Sequence, residues 1–494
     1  MNKPIRTISV FCLLLFLGLM LNATYLQYWR AGDLNEDPRN RRVLAESFSS
    51  ERGAILVGEA GQGRTAIAES EPSGDRYDYQ RTYPQPFKYA HLTGWFSYFS
   101  QTGLESTQNA VLSGDDSRLF VTRLVDLLSN SSAKGGSVQL TIDPQAQTAA
   151  FEGLEGLGEG VEGSVVALEP SSGRILAMAS LPTYDPNELA SHDFGAVAKR
   201  AEELGERDDE PLLNRAIQTR LPPGSTFKIV TAAAAIESGN YDASSQVPGG
   251  STYQLPQTSG ESGLIDNEGR DCGTSQIPFT QAMGQSCNTT FARLAVEVGA
   301  DAMLEQAEAF GFNSHYLDDL PLQAESNFPE DMNPPETGQS GIGQFEVAAT
   351  PLQMAMVSGG IANGGIVMRP YLVDAVLTPE LDVLPRTEPA ELSQAVSSDT
   401  ARDLTELMTY TVAQGTASPA AIPDIEVAGK TGTAQSGVES VPPYAWFTSF
   451  APADDPQVAV AVMIQSAPGT ERGEIAGGAL GGPIAKAVME AVLQ

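Results

Sequence analysis

The sequence predicts an α+β fold in which one sheet is assembled from distant parts of the chain. Three observations carry this. Ser164-Val165-Val166-Ala167-Leu168 and Arg174-Ile175-Leu176-Ala177-Met178 are apolar runs around the turn-rich Glu169-Pro170-Ser171-Ser172-Gly173, the pattern of a hairpin. Strand-like runs return near the other end, at 425–428, 446–450 and 458–464. Between them helical patterns dominate, from about 194 to 310, so strands at both ends must meet across helices.

Taken in order, residues 1–30 read as a short tail and a membrane anchor. Lys3 and Arg6 precede an apolar run from 8 to 21, which continues through Ala23, Tyr25 and Leu26 to the aromatic end Tyr28-Trp29-Arg30. No small-x-small cleavage site follows, which favours an uncleaved span over a signal peptide. Arg39, Arg41 and Arg42 stand after the span against the positive-inside rule, so the orientation rests on the short tail being the easier end to retain.

Residues 31–136 form a small module with many charges, including Glu51-Arg52, and weak periodicity; 129–136 is a Gly/Ser-rich hinge. From 137 to 494 comes the main domain. Val138-Gln139-Leu140-Thr141-Ile142-Asp143 leads to a helix beginning near Pro144, an allowed first-turn position. Gly/Pro-rich loops run through 321–345, and a closing helix over 484–493 follows Gly481-Gly482-Pro483.

A chain of 494 residues can hold two or three domains with full cores. Its net charge of −33 argues against nucleic-acid binding and is better suited to solubility. Cys12 lies in the apolar run, whereas Cys272 and Cys287 lie in the exported part. A disulfide between these two would contribute about 3 kcal/mol in the chain-entropy picture; two unpaired buried thiols are the alternative. His91, His192 and His315 stand in no triad pattern, and neither a metal-ligand spacing nor a phosphate loop is present, so no cofactor is expected.

Chemistry is concentrated in three short motifs. Ser225-Thr226-Phe227-Lys228 opens an apolar helix after Pro222-Pro223-Gly224, placing a nucleophile and a base on one face in the first turn, with Ser225 Oγ within hydrogen-bond reach of the Lys228 amine. Spacing alone proves little, since Ser131-Ser132-Ala133-Lys134 shares it without a helix behind it. Ser286-Cys287-Asn288 and Lys430-Thr431-Gly432-Thr433 complete the set, while Ser238-Gly239-Asn240 reads as a helix end.

In this order and at these intervals the motifs resemble those of penicillin-binding proteins and serine β-lactamases. Supporting stretches are Leu140-Thr141-Ile142-Asp143, Thr350-Pro351-Leu352-Gln353 and Ile361-Ala362-Asn363-Gly364-Gly365; together they resemble class B, most like the actinobacterial penicillin-binding protein A type. The resemblance implies an antiparallel sheet flanked by helices plus a helical subdomain, and a D,D-transpeptidase acting on the D-Ala-D-Ala end of peptidoglycan stem peptides. It also implies acylation by β-lactams, a cytoplasmic-membrane location and wall-synthesis or division proteins as partners.

Ser225 would then be the nucleophile, Lys228 its base and Ser286 a proton relay. Asn288, Lys430, Thr431, Gly432 and Thr433 would bind substrate, Lys430 adding positive charge for the terminal carboxylate. A lysine ordinarily titrates near 10.4, so Lys228 needs burial and the nearby charge of Lys430 to be neutral. A carboxypeptidase or β-lactamase would use the same acylation parts, but no Glu-x-x-Leu-Asn sequence stands between Ser286 and Lys430. A non-catalytic scaffold is the alternative from another class.

Overall fold

The computed structural model describes residues 2–30, 48–58, 63–119, 134–320, 322–435, 437–438 and 441–494. Its central sheet has five antiparallel strands in the order Ala428–Ala434, Tyr444–Ala451, Val458–Ser466, Glu162–Leu168 and Ile175–Leu181. The hairpin pairs as expected, Val166 opposite Met178. Glu162–Leu168 then joins the C-terminal strands, Val166 lying opposite Ala461, so the sheet is built from distant parts of the chain.

Both faces of this sheet are covered, which explains why 458–464 is apolar without a polar alternate. Val460 and Val462 pack with Ala150, Ala485 and Val488 of the Pro144–Glu155 and Gly482–Leu493 helices. Ala459, Ala461 and Met463 point the other way, into the core around the Pro351–Ala362 helix. A period of two thus divides one run between two cores. Beyond Pro351–Ala362 lies Lys228–Glu237, a helix buried from Lys228 through Ile236 and enclosed by Asn288–Val298, Ala300–Ala309 and Ser398–Gln414. An all-round apolar helix needs such a jacket.

Two features differ from the sequence reading. The strand expected at 425–428 begins only at Ala428, because Asp424 takes a left-handed φ of 63° and Ile422 bridges Ile425 in a tight turn; the Lys-Thr-Gly motif therefore lies inside the strand, not after it. The helical stretch is also interrupted by two small antiparallel pairs, Gln246–Pro248 with Gln276–Pro278 and Thr252–Gln254 with Leu264–Asp266. Runs of three residues are too short to show a strand period.

A second sheet has six strands, in the order Val383–Arg386, Val373–Leu377, Ser137–Leu140, Ile55–Val57, Thr65–Pro72 and Tyr79–Thr82. Ser137–Leu140 runs parallel to Ile55–Val57 and antiparallel to Val373–Leu377, so residues on either side of position 136 share a sheet. Arg52 is not a surface charge: Arg52 and Arg81 each reach the buried Glu105 carboxylate at 2.6 Å, and Tyr83 Oη donates to it at 3.3 Å. Burial works against the charge on Glu105, but Arg81 and Arg52 hold its carboxyl below the usual range.

At the N-terminus, Asn2–Thr24 is helical and continues into a wide turn, Tyr25–Trp29; residues 3–29 are long and apolar enough to cross a membrane. Phe11, Leu14 and Phe16 are exposed along it. Arg39, Arg41, Arg42 and most of the hinge, including Ser131, Ser132 and Ala133, lie outside the described residues; Lys134 pairs with Glu51 at 2.8 Å.

Glu105→Gln should leave two buried guanidinium groups without a counter-charge and cost about 3–5 kcal/mol. A urea-unfolding midpoint equal to that of the unaltered chain would show that this triad does not hold the module together.

Candidate active site

The first motif forms where a tight turn meets the edge strand of the central sheet. Gly224–Phe227 is a 3-10 turn that runs into Lys228–Glu237, so the helix begins at Lys228 and Ser225 stands one turn ahead of it. In a 3-10 turn residues three apart eclipse, which keeps Ser225 and Lys228 on one edge. Gly224 has φ 53°, and a methyl group there would lie 2.8 Å from the Thr433 carbonyl oxygen. From the other side, a methyl on Gly432 would meet Pro223 O at 2.8 Å. One glycine on each element lets the turn lie against the strand. Phe227, stacked on Phe328 at 5.4 Å, fastens the turn to the core.

The second motif caps a helix. Phe279–Gly284 ends with Ser286 N donating to Met283 O at 3.1 Å and Cys287 N to Ala282 O at 2.9 Å, the paired bonds of a left-handed cap. Ser286 takes the left-handed position, φ 59°, where glycine is usual. That fold of the backbone turns both its carbonyl and its hydroxyl toward Lys228.

Lys228 Nζ donates to Ser286 O at 2.7 Å and Asn288 Oδ1 at 2.7 Å, and stands 3.2 Å from Ser286 Oγ. Ser225 Oγ is not among its hydrogen-bond partners, unlike the direct pairing expected from spacing. Lys430 Nζ donates to Ser286 Oγ at 2.8 Å and to Thr431 O at 2.9 Å. The Ser286 hydroxyl therefore stands between two completely buried amines. Burial, then Lys430 and Arg270, push Lys228 well below the ordinary lysine range; burial, then Arg270, do the same to Lys430.

Above these amines opens a cavity of about 200 Å³ lined by Ser225, Ser286, Asn288, Thr431, Thr433 and Gln435, with Glu268, Arg270, Ile342 and Gln344. Thr431 and Thr433 reach it from one side of the strand by the two-residue period, as expected. Lys430, expected at the substrate carboxylate, lies behind this wall and does not line it. The Asn288 amide is engaged at both ends, its oxygen by Lys228 and its nitrogen donating to Asp266 O at 3.0 Å. All eight residues singled out by sequence thus stand at or directly behind one cavity.

Glu268, Arg270, Ile342, Gln344 and Gln435 were not anticipated. Gln435 follows Thr433 on the same strand period and was within reach of that argument. Arg270 and Glu268 arrive through Cys272, which is disulfide-bonded to Cys287 with Cα atoms 5.8 Å apart; the two-thiol alternative is thereby set aside. Of the histidines, His91 is half-buried, its ring 3.0 Å from Pro211 O, with desolvation bringing its pKa down to about 4, and His192 pairs with Asp75 at 2.7 Å.

A serine on a turn, a buried amine, a second serine between two lysines and a threonine-bearing edge strand form an arrangement suited to serine acyl transfer. Residues 163–490 match the penicillin-binding protein transpeptidase domain, and residues 52–138 match the penicillin-binding protein A dimerisation domain. The chain belongs to the class B penicillin-binding protein transpeptidases. It is 43% identical to the peptidoglycan D,D-transpeptidase PbpA of Mycolicibacterium smegmatis, over 100% of this chain and 99% of that one. Identity to the PbpA transpeptidase of Mycobacterium tuberculosis is 42%, with the same coverage of 100% and 99%. The penicillin-binding protein A of M. tuberculosis, solved as a ceftriaxone acyl-enzyme complex, superposes with a TM-score of 0.84 at 40% identity, covering 91% of this chain and 100% of that one.

Gly224→Ala should force either the left-handed turn or the Thr433 carbonyl to move, at a cost of about 1–3 kcal/mol. The expected result is a lower melting temperature together with slower labelling by fluorescent penicillin; labelling at the unaltered rate would mean the close approach is not required.

Proposed function

We propose that the chain is a membrane-anchored peptidoglycan D,D-transpeptidase that cross-links stem peptides through an acyl-enzyme on Ser225, with its main domain outside the cytoplasmic membrane, in septal wall synthesis. The observation that carries this reading is the buried Lys228–Ser286–Lys430 relay beside Ser225. An amine that burial keeps neutral can accept a proton from a serine, which an ordinary lysine at neutral pH cannot.

When neutral, Lys228 has two N–H groups and one lone pair. Ser286 O and Asn288 Oδ1, both 2.7 Å away, take the two N–H groups. The lone pair remains for a hydroxyl, Ser286 in the resting site and Ser225 during attack. Ser225 Oγ adds to the penultimate D-alanine carbonyl as its proton passes to Lys228. Backbone N–H groups of Ser225 and Thr433 would hold the oxyanion, a donor pair of the kind for which each member is worth about 3 kcal/mol. As the C–N bond breaks, the proton moves through Ser286 to the departing D-alanine amine. An acceptor amine then attacks the ester and returns the proton along the same path, restoring Ser225.

In this reading Thr431 and Thr433 receive the terminal carboxylate, Gly432 keeps the strand beside the nucleophile, Asn288 borders the peptide and Lys430 holds the Ser286 hydroxyl in line. β-Lactams would enter the first half of the cycle and stop at the ester. The residue 3–29 helix would anchor the protein, leaving the 52–138 module as a surface for other wall-synthesis proteins.

Ser225→Ala should abolish covalent labelling by fluorescent penicillin, and Lys228→Ala should abolish acylation while retaining part of the binding of intact ligand. Incubation with stem-peptide donor and acceptor decides the reaction: cross-linked dimer supports the transpeptidase, whereas released tetrapeptide alone would make it a carboxypeptidase. The pH profile tests the base. Acylation requires neutral Lys228, so the rate rises with pH through its titration. Lys430→Gln removes a neighbouring positive charge, raises the pKa of Lys228 and should move that rise to higher pH; a shift to lower pH would exclude Lys228 as the base.

A further inference from the structure

We propose that Arg270, together with Thr431 and Thr433, receives the terminal carboxylate of the substrate, and that Glu268 competes with that carboxylate for the guanidinium. The proposal rests on Ser225 being the acylated residue. Among the described residues that line the cavity, Glu268 and Arg270 are the charged ones; Lys228 and Lys430 lie beneath it with their amines committed to Ser286, Asn288 and Thr431. A carboxylate entering a chain with a net charge of −33 needs a local cation, and a guanidinium holds its proton more firmly than a buried amine. Arg270, Thr431 and Thr433 line the same small cavity as Ser225.

The geometry leaves Arg270 available. Its Nε donates to Asn267 O at 2.8 Å and one Nη to Glu268 Oε2 at 2.8 Å, while the other Nη has no partner among the described residues. The Arg270 and Glu268 side chains are 24% and 61% exposed, and a pair that open to water is weak enough for a ligand carboxylate to displace. Glu268 itself sits at φ 53°, with its N–H on Asp266 Oδ1 at 2.7 Å, an uncommon backbone for a glutamate.

The loop is also fastened to the start of the Asn288–Val298 helix. Besides the Cys272–Cys287 disulfide, Asn267 Oδ1 accepts from Thr289 N at 3.0 Å, Asn267 Nδ2 donates to Gly250 O at 2.8 Å, and Asn288 Nδ2 binds Asp266 O at 3.0 Å. A guanidinium on such a loop is held beside the cavity before any ligand arrives. Preorganised charge of this kind loses little on binding.

The test compares second-order acylation rates for penicillin G and its methyl ester. It uses the full-length chain in detergent, on the alkaline plateau where Lys228 is neutral in every variant, and the acid-to-ester ratio is read. Arg270→Gln should lower that ratio about tenfold, as for loss of a charged hydrogen bond. Arg270→Lys should restore part of it. Glu268→Gln should raise it about threefold by freeing the guanidinium. Added salt should reduce the ratio in the unaltered chain and much less in Arg270→Gln. Melting curves confirm that each variant is folded. A ratio unchanged in Arg270→Gln, or lowered in Glu268→Gln, overturns the proposal. Failure of the unaltered chain to be acylated by either compound would instead remove Ser225 from its assignment.

Discussion

The hydroxyl of Ser286, held between the buried amines of Lys228 and Lys430, is the contact on which the rest of the site depends. Two ammonium ions could not share so small a dry space without strong repulsion, and burial of each charge alone would cost several kcal/mol. The protein meets this constraint by lowering the proton affinity of both amines, so that a proton on Lys430 disfavours one on Lys228. A relay is compatible with the same constraint, because a neutral amine and a hydroxyl can exchange donor and acceptor roles where fixed charges cannot.

Holding that contact requires three separate chain segments to meet with little tolerance. Lys228 is fixed by a helix buried on all sides, Lys430 by a central sheet covered on both faces, and Ser286 by the left-handed cap of a short helix. None of these supports is specific to chemistry; each is an ordinary product of apolar patterning and capping. The specialised part is where they touch. Gly224 and Gly432 remove the side chains that would separate the turn from the strand, and a serine accepts the strain of a position that would favour glycine.

Much of this was legible in the sequence, and the reason is physical. The 164–178 hairpin and the 458–464 strand carry strong local patterns, and the three motifs keep their spacing because each spans only three or four consecutive residues. What escaped was non-local or too short. The strand carrying Lys430 starts at Ala428 because a left-handed Asp424 breaks the chain just before it, a feature that apolar patterning does not register. The three-residue pairs near 246–278 have no readable period. The burial of Arg52 could not be read because its partner Glu105 is far away in sequence. Arg270 looked unremarkable because its place depends on a disulfide that sequence left undecided.

Arg270 also alters how the two lysines should be understood. Sequence and family resemblance give Lys430 the task of facing the substrate carboxylate, yet its amine is turned to Ser286 and its charge is opposed by burial. A partly exposed guanidinium on a covalently fastened loop would supply the permanent charge and release the buried lysine to act in proton transfer. The two tasks conflict in a single amine, since holding an anion favours the charged form and relaying a proton requires access to the neutral one. Dividing them between a wet arginine and a dry lysine resolves the conflict. The same arginine, by its field, helps keep both amines below the ordinary lysine range. In the proposed site, recognition of the substrate and activation of Ser225 would thereby be coupled through one charge.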